Sequence, residues 1–343
     1  MHKTLRLAAV AVPLTLIASG ANAEGVLNFA NWAEYTSPEL LEKFEQETGI
    51  KVVLDTYDSS ETLLAKLQAG GADYDVAVPG NNFVAGMISE GLIQNVDVKS
   101  LPGFENLESR WQSPPWDPTN EYSIPWLWGT TGFTVDTSAY GGDIHTYEVL
   151  FNPPPELQGE IGMFNSADEV VKMVHAYLGN DLCTEDPAHF QAAFDVLKAQ
   201  KQHVKMYQSE GLRERMLSGE VKAHSNWNGS SLKLRSKDAK FAYSYPREGV
   251  LTWMDVMVVP TGAKNKENAL KFLAFMLQPE NVAIQSNFAR YSNAVAGSDA
   301  FMAEELKTAP EIVAPADRKF IFVPACSEKA IKLQDQVWTR LLK

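Results

Sequence analysis

Apolar and polar positions over residues 26–79 follow the order strand, helix, strand, helix, strand. Val26-Leu27-Asn28-Phe29 alternates and runs on to Asn31-Trp32. Ser37 stands where a helix cap belongs, Pro38 suits the first helical position, and Glu39 and Glu42 favour the positive helix start. Leu40, Leu41 and Phe44 form one stripe of that helix, and Gly49 stops it. Lys51-Val52-Val53-Leu54 gives a second strand. Leu63, Leu64 and Leu67 line a second amphipathic helix that ends at Gly70-Gly71. Asp75-Val76-Ala77-Val78-Pro79 is nearly all apolar, which predicts a strand buried on both faces. This alternation predicts an α/β layer with a parallel sheet. Ligands of such sheets sit beyond the carboxyl ends of the strands, so Trp32 to Tyr35 and Gly80 to Phe83 are the first candidate loops.

Downstream, the Pro- and Trp-rich passage from Pro114 to Trp128 leads into Gly129-Thr130-Thr131-Gly132, which suits a crossing strand or hinge. A second α/β region follows. Helices are predicted over Ala167 to Leu178, Phe190 to Lys201 and Leu212 to Leu217, and strands over Phe241 to Tyr245 and Trp253 to Val259. Late helices run through Asn268 to Leu277 and Val282 to Phe288. The expectation is two α/β lobes joined by more than one crossing.

The first 23 residues carry Lys3 and Arg6, an apolar run from Leu7 to Ile17, and Ala21-Asn22-Ala23. That is the pattern of a secretory signal peptide, too short for a membrane span. The residue after the predicted cut is Glu24, not Cys, so a soluble product without a lipid anchor is expected. The formal charge of −13 repels nucleic acid and anionic lipid and weakly attracts cations. Cys183 and Cys326 could pair in an oxidising compartment, but their separation in sequence leaves their proximity open.

The common catalytic signatures are absent: no P-loop, GxGxxG, HExxH or GxSxG occurs, and the six histidines lack ligand spacing. No metal or cofactor is expected. What stands out is tryptophan or tyrosine beside carboxylates near strand ends. Trp32, Glu34 and Tyr35 follow the first strand, Trp253 and Asp255 share another, Trp227 lies between Asn226 and Asn228, and Glu169 opens a predicted helix. Taken singly, each tryptophan reads as a core residue and each carboxylate as a cap. As a set they suit one task. Aromatic faces attract ammonium groups by about 0.5–2 kcal/mol each, and a charge-assisted hydrogen bond adds roughly 1.5–3 kcal/mol. An aromatic box with spaced carboxylates fits an alkyl polyamine. The alternatives are another small organic cation or metal chelate, and a secreted hydrolase using Glu169 and Asp255, whose carboxyls would stand ~5–10 Å apart.

Several segments resemble those of bacterial spermidine/putrescine-binding periplasmic proteins. They are Asn31-Trp32-Ala33-Glu34-Tyr35, Glu47-Thr48-Gly49-Ile50-Lys51-Val52, Tyr74-Asp75-Val76-Ala77-Val78-Pro79, Tyr122-Ser123-Ile124-Pro125, Trp128-Gly129-Thr130-Thr131-Gly132, Trp227-Asn228-Gly229-Ser230, Trp253-Met254-Asp255 and Ala263-Lys264-Asn265-Lys266. The resemblance implies the two-lobed type II periplasmic binding protein fold, α/β, with the amine in a cleft between lobes. One lobe would hold residues 24–130 and 256–305, the other 131–255 and 306–343. Three crossings are expected, near Thr130 to Gly132, Leu251 to Asp255 and Ala303 to Thr308. The resemblance further implies a monomer in the periplasm that serves an inner-membrane ABC permease and its ATPase, with no catalytic step and no nucleic-acid partner.

Carried over by position, Trp32, Glu34 and Tyr35 would form the first-lobe site, Glu169 would grip an amine from the second lobe, and Trp227, Trp253 and Asp255 would make the aromatic clamp and central anion, with Tyr291 added late. Three positions depart from the pattern. Ser166 stands where spermidine-preferring members have aspartate, Gly80-Asn81-Asn82 replaces Ser-x-Tyr, which puts Asn82 in the place of a pocket tyrosine, and Ser230 replaces an aspartate of putrescine-preferring members. Counting Glu34, Glu169 and Asp255 as three anions favours spermidine, with its three ammonium groups, over putrescine, with two.

Overall fold

The computed structural model describes residues 25–70 and 73–343. The predicted leader over residues 1–23, the predicted start at Glu24 and the helix end at Gly71 lie outside the described residues. The first half contains β1 (Gly25–Trp32), α1 (Pro38–Thr48), β2 (Ile50–Tyr57), α2 (Ser60–Gln68), β3 (Val76–Ala77) and α3 (Asn81–Ser89). Next come β4 (Ser123–Asp136), α4 (Glu148–Phe151), β5 (Ile161–Met163), α5 (Ala167–Leu178), α6 (Pro187–Gln200) and β6 (Val204–Tyr207). They are followed by α7 (Leu212–Ser218), β7 (Ala223–Trp227), α8 (Asn228–Arg235), β8 (Phe241–Ser244) and β9 (Val250–Val258). The chain finishes with α9 (Lys266–Met276), α10 (Pro279–Ala289), β10 (Ser292–Asn293), α11 (Glu305–Thr308), β11 (Phe320–Phe322) and α12 (Glu328–Leu342).

Local chemistry accounts for the first elements. The Ser37 side chain accepts from the Leu40 amide at the start of α1, and Gly49, in the left-handed region at φ 70°, ends that helix. β1 pairs in parallel with both β2 and β3. β2 runs beyond Leu54 because Asp55 to Tyr57 pair with Ala30 to Trp32 of β1, an extension that the polar Asp55-Thr56 step does not advertise. It carries Tyr57 to the same strand-end level as Trp32.

Among the described residues eleven strands share one hydrogen-bonded sheet, with β2-β1-β3-β9-β4-β7-β5-β6 as its main path. Two separate apolar cores nevertheless lie along it. One gathers Leu27, Phe29, Phe44, Trp126 and Phe272, and the other Phe133, Tyr147, Phe164, Val170 and Leu197. β4 passes from Trp126 and Leu127 in the first to Phe133 and Val135 in the second, and β9 joins them through Leu251 and Met254. Their antiparallel pairing shifts register between Pro125 and Trp128. A third link brings β11 alongside β9, where Phe322 stacks on Trp116 at 5.5 Å. The result is a two-lobed α/β chain with a cleft between its halves. Cys183 and Cys326 form a disulfide. It ties the turn before α6 to the segment that leads into α12.

Candidate functional site

The cleft lies beyond the ends of β1, β3 and β7 and holds about 1090 Å³ of space, its open mouth included. It is lined by all nine residues singled out in the sequence: Trp32, Glu34 and Tyr35 after β1, Asn82 in α3, Glu169 in α5, Trp227 at the end of β7, Trp253 and Asp255 in β9, and Tyr291 before β10. Their surroundings differ, and so do the tasks open to them.

The aromatic walls are packed against each other. Trp32 meets Tyr57 edge-on at 5.0 Å, Trp227 stacks on Phe164 at 4.3 Å, and Trp253 meets Tyr291 edge-on at 5.2 Å. All three tryptophans are half-buried, each with part of its ring left to the cleft. Two glycines make room for this packing. A Cβ on Gly129 would stand 2.8 Å from the Trp253 ring, and one on Gly229 would stand 2.6 Å from both the Arg290 carbonyl and the Tyr291 ring. No side chain fits at either place.

Asp255 sits on the floor of the cleft, only 6% exposed, and accepts a hydrogen bond from the Tyr35 hydroxyl at 2.7 Å. Burial pushes its carboxyl up to about 8, and the neighbouring charge of Glu169 adds to the rise. The indole N–H of Trp32 lies near enough to favour the carboxylate, but it makes no hydrogen bond of normal geometry. Glu169 accepts from the Trp227 indole N–H at 3.0 Å, and burial pushes its carboxyl up to about 7. Neither carboxylate makes an ion pair with a lysine or arginine among the described residues. A buried anion in that state binds a proton or awaits a cation.

Glu34 is placed differently. Its backbone is in the left-handed region at φ 57°, its side chain is 49% exposed, and its carboxylate accepts from Arg213 at 2.5 Å. The Lys233 ammonium lies 3.4 Å from its carbonyl oxygen. Asn82 lines the cleft, but its amide is spent on Asp168 at 3.1 Å, bridging the lobes. Asp168 in turn is paired with Lys172.

Glu61, Arg213 and Lys233 were not found from the sequence. Glu61 lies in the first turn of α2 and accepts from the Ser166 hydroxyl at 3.0 Å and the Asp168 amide at 3.2 Å. A first-lobe carboxylate thus caps a second-lobe helix, and both burial and Asp168 hold its carboxyl above the usual range. In the sequence Glu61 reads only as an acid favouring its own helix start, and Arg213 and Lys233 as ordinary helix-surface cations.

A cleft of this kind between two lobes is built to enclose a solute. The chain belongs to the bacterial extracellular solute-binding protein family, whose model matches residues 39–314. It is 39% identical over 277 residues to the spermidine/putrescine-binding periplasmic protein of Escherichia coli K12, covering 80% of this chain and 79% of that one. It is 30% identical over 335 residues to the putrescine-binding periplasmic protein SpuD of Pseudomonas aeruginosa, covering 92% and 91%. A solved structure from Listeria monocytogenes, assigned to spermidine/putrescine ABC transport, superposes with a TM-score of 0.87 at 29% identity, over 92% of this chain and 98% of that one.

Proposed function

We propose that this protein is a periplasmic receptor that encloses a polyamine of the spermidine/putrescine class and delivers it, as a monomer and without chemical change, to an inner-membrane ABC permease and its ATPase. The observation that carries this reading is the pair Asp255 and Glu169, two buried carboxylates with aromatic hydrogen-bond donors and, among the described residues, no ion pair to a protein cation. Alkyl ammonium groups would supply the missing charges, and the faces of Trp32, Trp227 and Trp253 would hold the methylene chain. The names of the relatives support the same ligand class. Ion pairs and hydrogen bonds across the cleft, such as Glu34 to Arg213 and Glu61 to Ser166, favour the closed form.

Calorimetric titration with spermidine and putrescine, followed by chemical analysis of the recovered ligand, tests the reading. Saturable binding with the amine returned unaltered is expected. A ligand at about 100 times its dissociation constant should also add ~2.7 kcal/mol to unfolding stability. Absence of binding by either amine, or turnover of one, would overturn the proposal.

A further inference from the structure

The charged side chains of the cleft divide into those already answered by the protein and those that are not. Asp168 has Lys172. Glu61 has the Ser166 hydroxyl, the Asp168 amide and the positive N-terminus of α5. Glu34 has Arg213 and, beside it, Lys233. Asp58 accepts from the Thr62 hydroxyl at 3.0 Å, and Glu210 is exposed to water. Asp255 and Glu169 remain without an ion pair, the Lys172 charge acting on Glu169 only at a distance from its pairing with Asp168. Tyr35 donates to the first and Trp227 to the second, and neither donor carries a charge.

We propose that Arg213 and Lys233 are specificity-determining residues, which make the cleft select a dication, an alkyl α,ω-diamine, over a triamine. This inference rests on the amine-receptor reading and names the ligand within it. Two unanswered carboxylates match two ammonium groups. A third ammonium would have to approach Glu34, where two cations already face one anion. Lys233 is drawn down to about 8 by burial and by Arg213, which still leaves it charged at neutral pH. Like charges brought together at the partly solvated rim of a cleft repel, and a site can reject a competitor by such repulsion as well as by fit. The sequence-based count of three anions included Glu34. Its carboxylate is engaged across the cleft by a residue 179 positions away, and the count falls to two.

The test is a set of calorimetric titrations of 1,4-diaminobutane and spermidine against the wild type, Arg213→Gln, Lys233→Met and the double variant. The wild type should bind the diamine at least about tenfold more tightly than spermidine, a gap of ~1.4 kcal/mol. Each substitution should raise the ratio of spermidine affinity to diamine affinity, and the double variant should raise it most, by about tenfold or more. Wild-type preference for spermidine overturns the proposal without need of any variant. So does an unchanged ratio in variants that still bind the diamine. If the wild type binds neither amine, the receptor reading fails and this inference fails with it.

Discussion

Ligand uptake by this cleft should expel protons. In the closed cleft without ligand, burial holds the Asp255 carboxyl at about 8 and that of Glu169 at about 7. At pH 7 these values place roughly 0.9 and 0.5 of a proton on the two groups. Alkyl ammonium groups, like that of lysine near 10.4, stay charged at this pH and favour both carboxylates. Binding therefore releases about 1.4 protons at pH 7. Because both carboxyls must ionise to meet the ligand, affinity should be about tenfold weaker at pH 7 than at pH 8, and it should fall further on acidification. Calorimetry in phosphate and in Tris, whose ionisation enthalpies differ widely, reads the proton count from the difference in observed heats. Asp255→Asn should lower the release to about 0.5, and Glu169→Gln should lower it to below about 0.9, because the Glu169 charge that helps to raise the Asp255 carboxyl is then gone. A wild-type binding heat that is the same in both buffers, or proton uptake in place of release, would refute the reasoning.

Two further outcomes follow from the packing. Trp253→Ala removes a half-buried ring seated on Gly129 and Tyr291, and it should weaken amine binding by at least about 2 kcal/mol while lowering unfolding stability by less. Calorimetry alongside denaturant unfolding checks this, and equal losses would make the ring a plain core residue. Replacing Cys183 and Cys326 by alanine should lower unfolding stability by about 2–4 kcal/mol and leave amine affinity near the wild-type value, because the bond closes a long loop and lies outside the cleft lining. Unfolding midpoints that coincide in the two proteins would contradict it.

What could be read in the sequence follows the range over which each signal acts. Helix α5 was legible at Ala167 to Leu178, and the features that bound it in the structure, the cap Ser166 and the left-handed Gly179, lie within the same short segment. The aromatic and carboxylate residues of the site were legible because each sits at the end of a strand and in a recognisable motif. The state of each charge was not. Whether Glu34 is free depends on Arg213, and whether Glu61 faces its own lobe or the other depends on Ser166, 105 positions away. Sequence spacing is silent on such pairings. The extension of β2 to Tyr57 escaped notice for the same reason, since its cause is the pairing with β1 rather than the residues of β2. Likewise the meeting of Cys183 and Cys326 is a product of the second lobe's packing.

The capping of α5 by Glu61 bears on how this receptor can be tuned. If the lobes part, Glu61 leaves and the Asp168 amide and Ser166 hydroxyl turn to water, so the contact counts only toward the enclosed state. Apparent affinity depends on how much of the free protein already occupies the binding-competent arrangement. A contact of this kind therefore acts as a gain control: strengthening or weakening it shifts the response to every ligand in the same direction, on top of whatever Glu61 and Ser166 contribute to the choice among ligands as part of the cleft lining. Lineages facing scarce or abundant amines could thus adjust sensitivity at Glu61 and Ser166 while Trp227, Trp253 and Asp255 stay as they are.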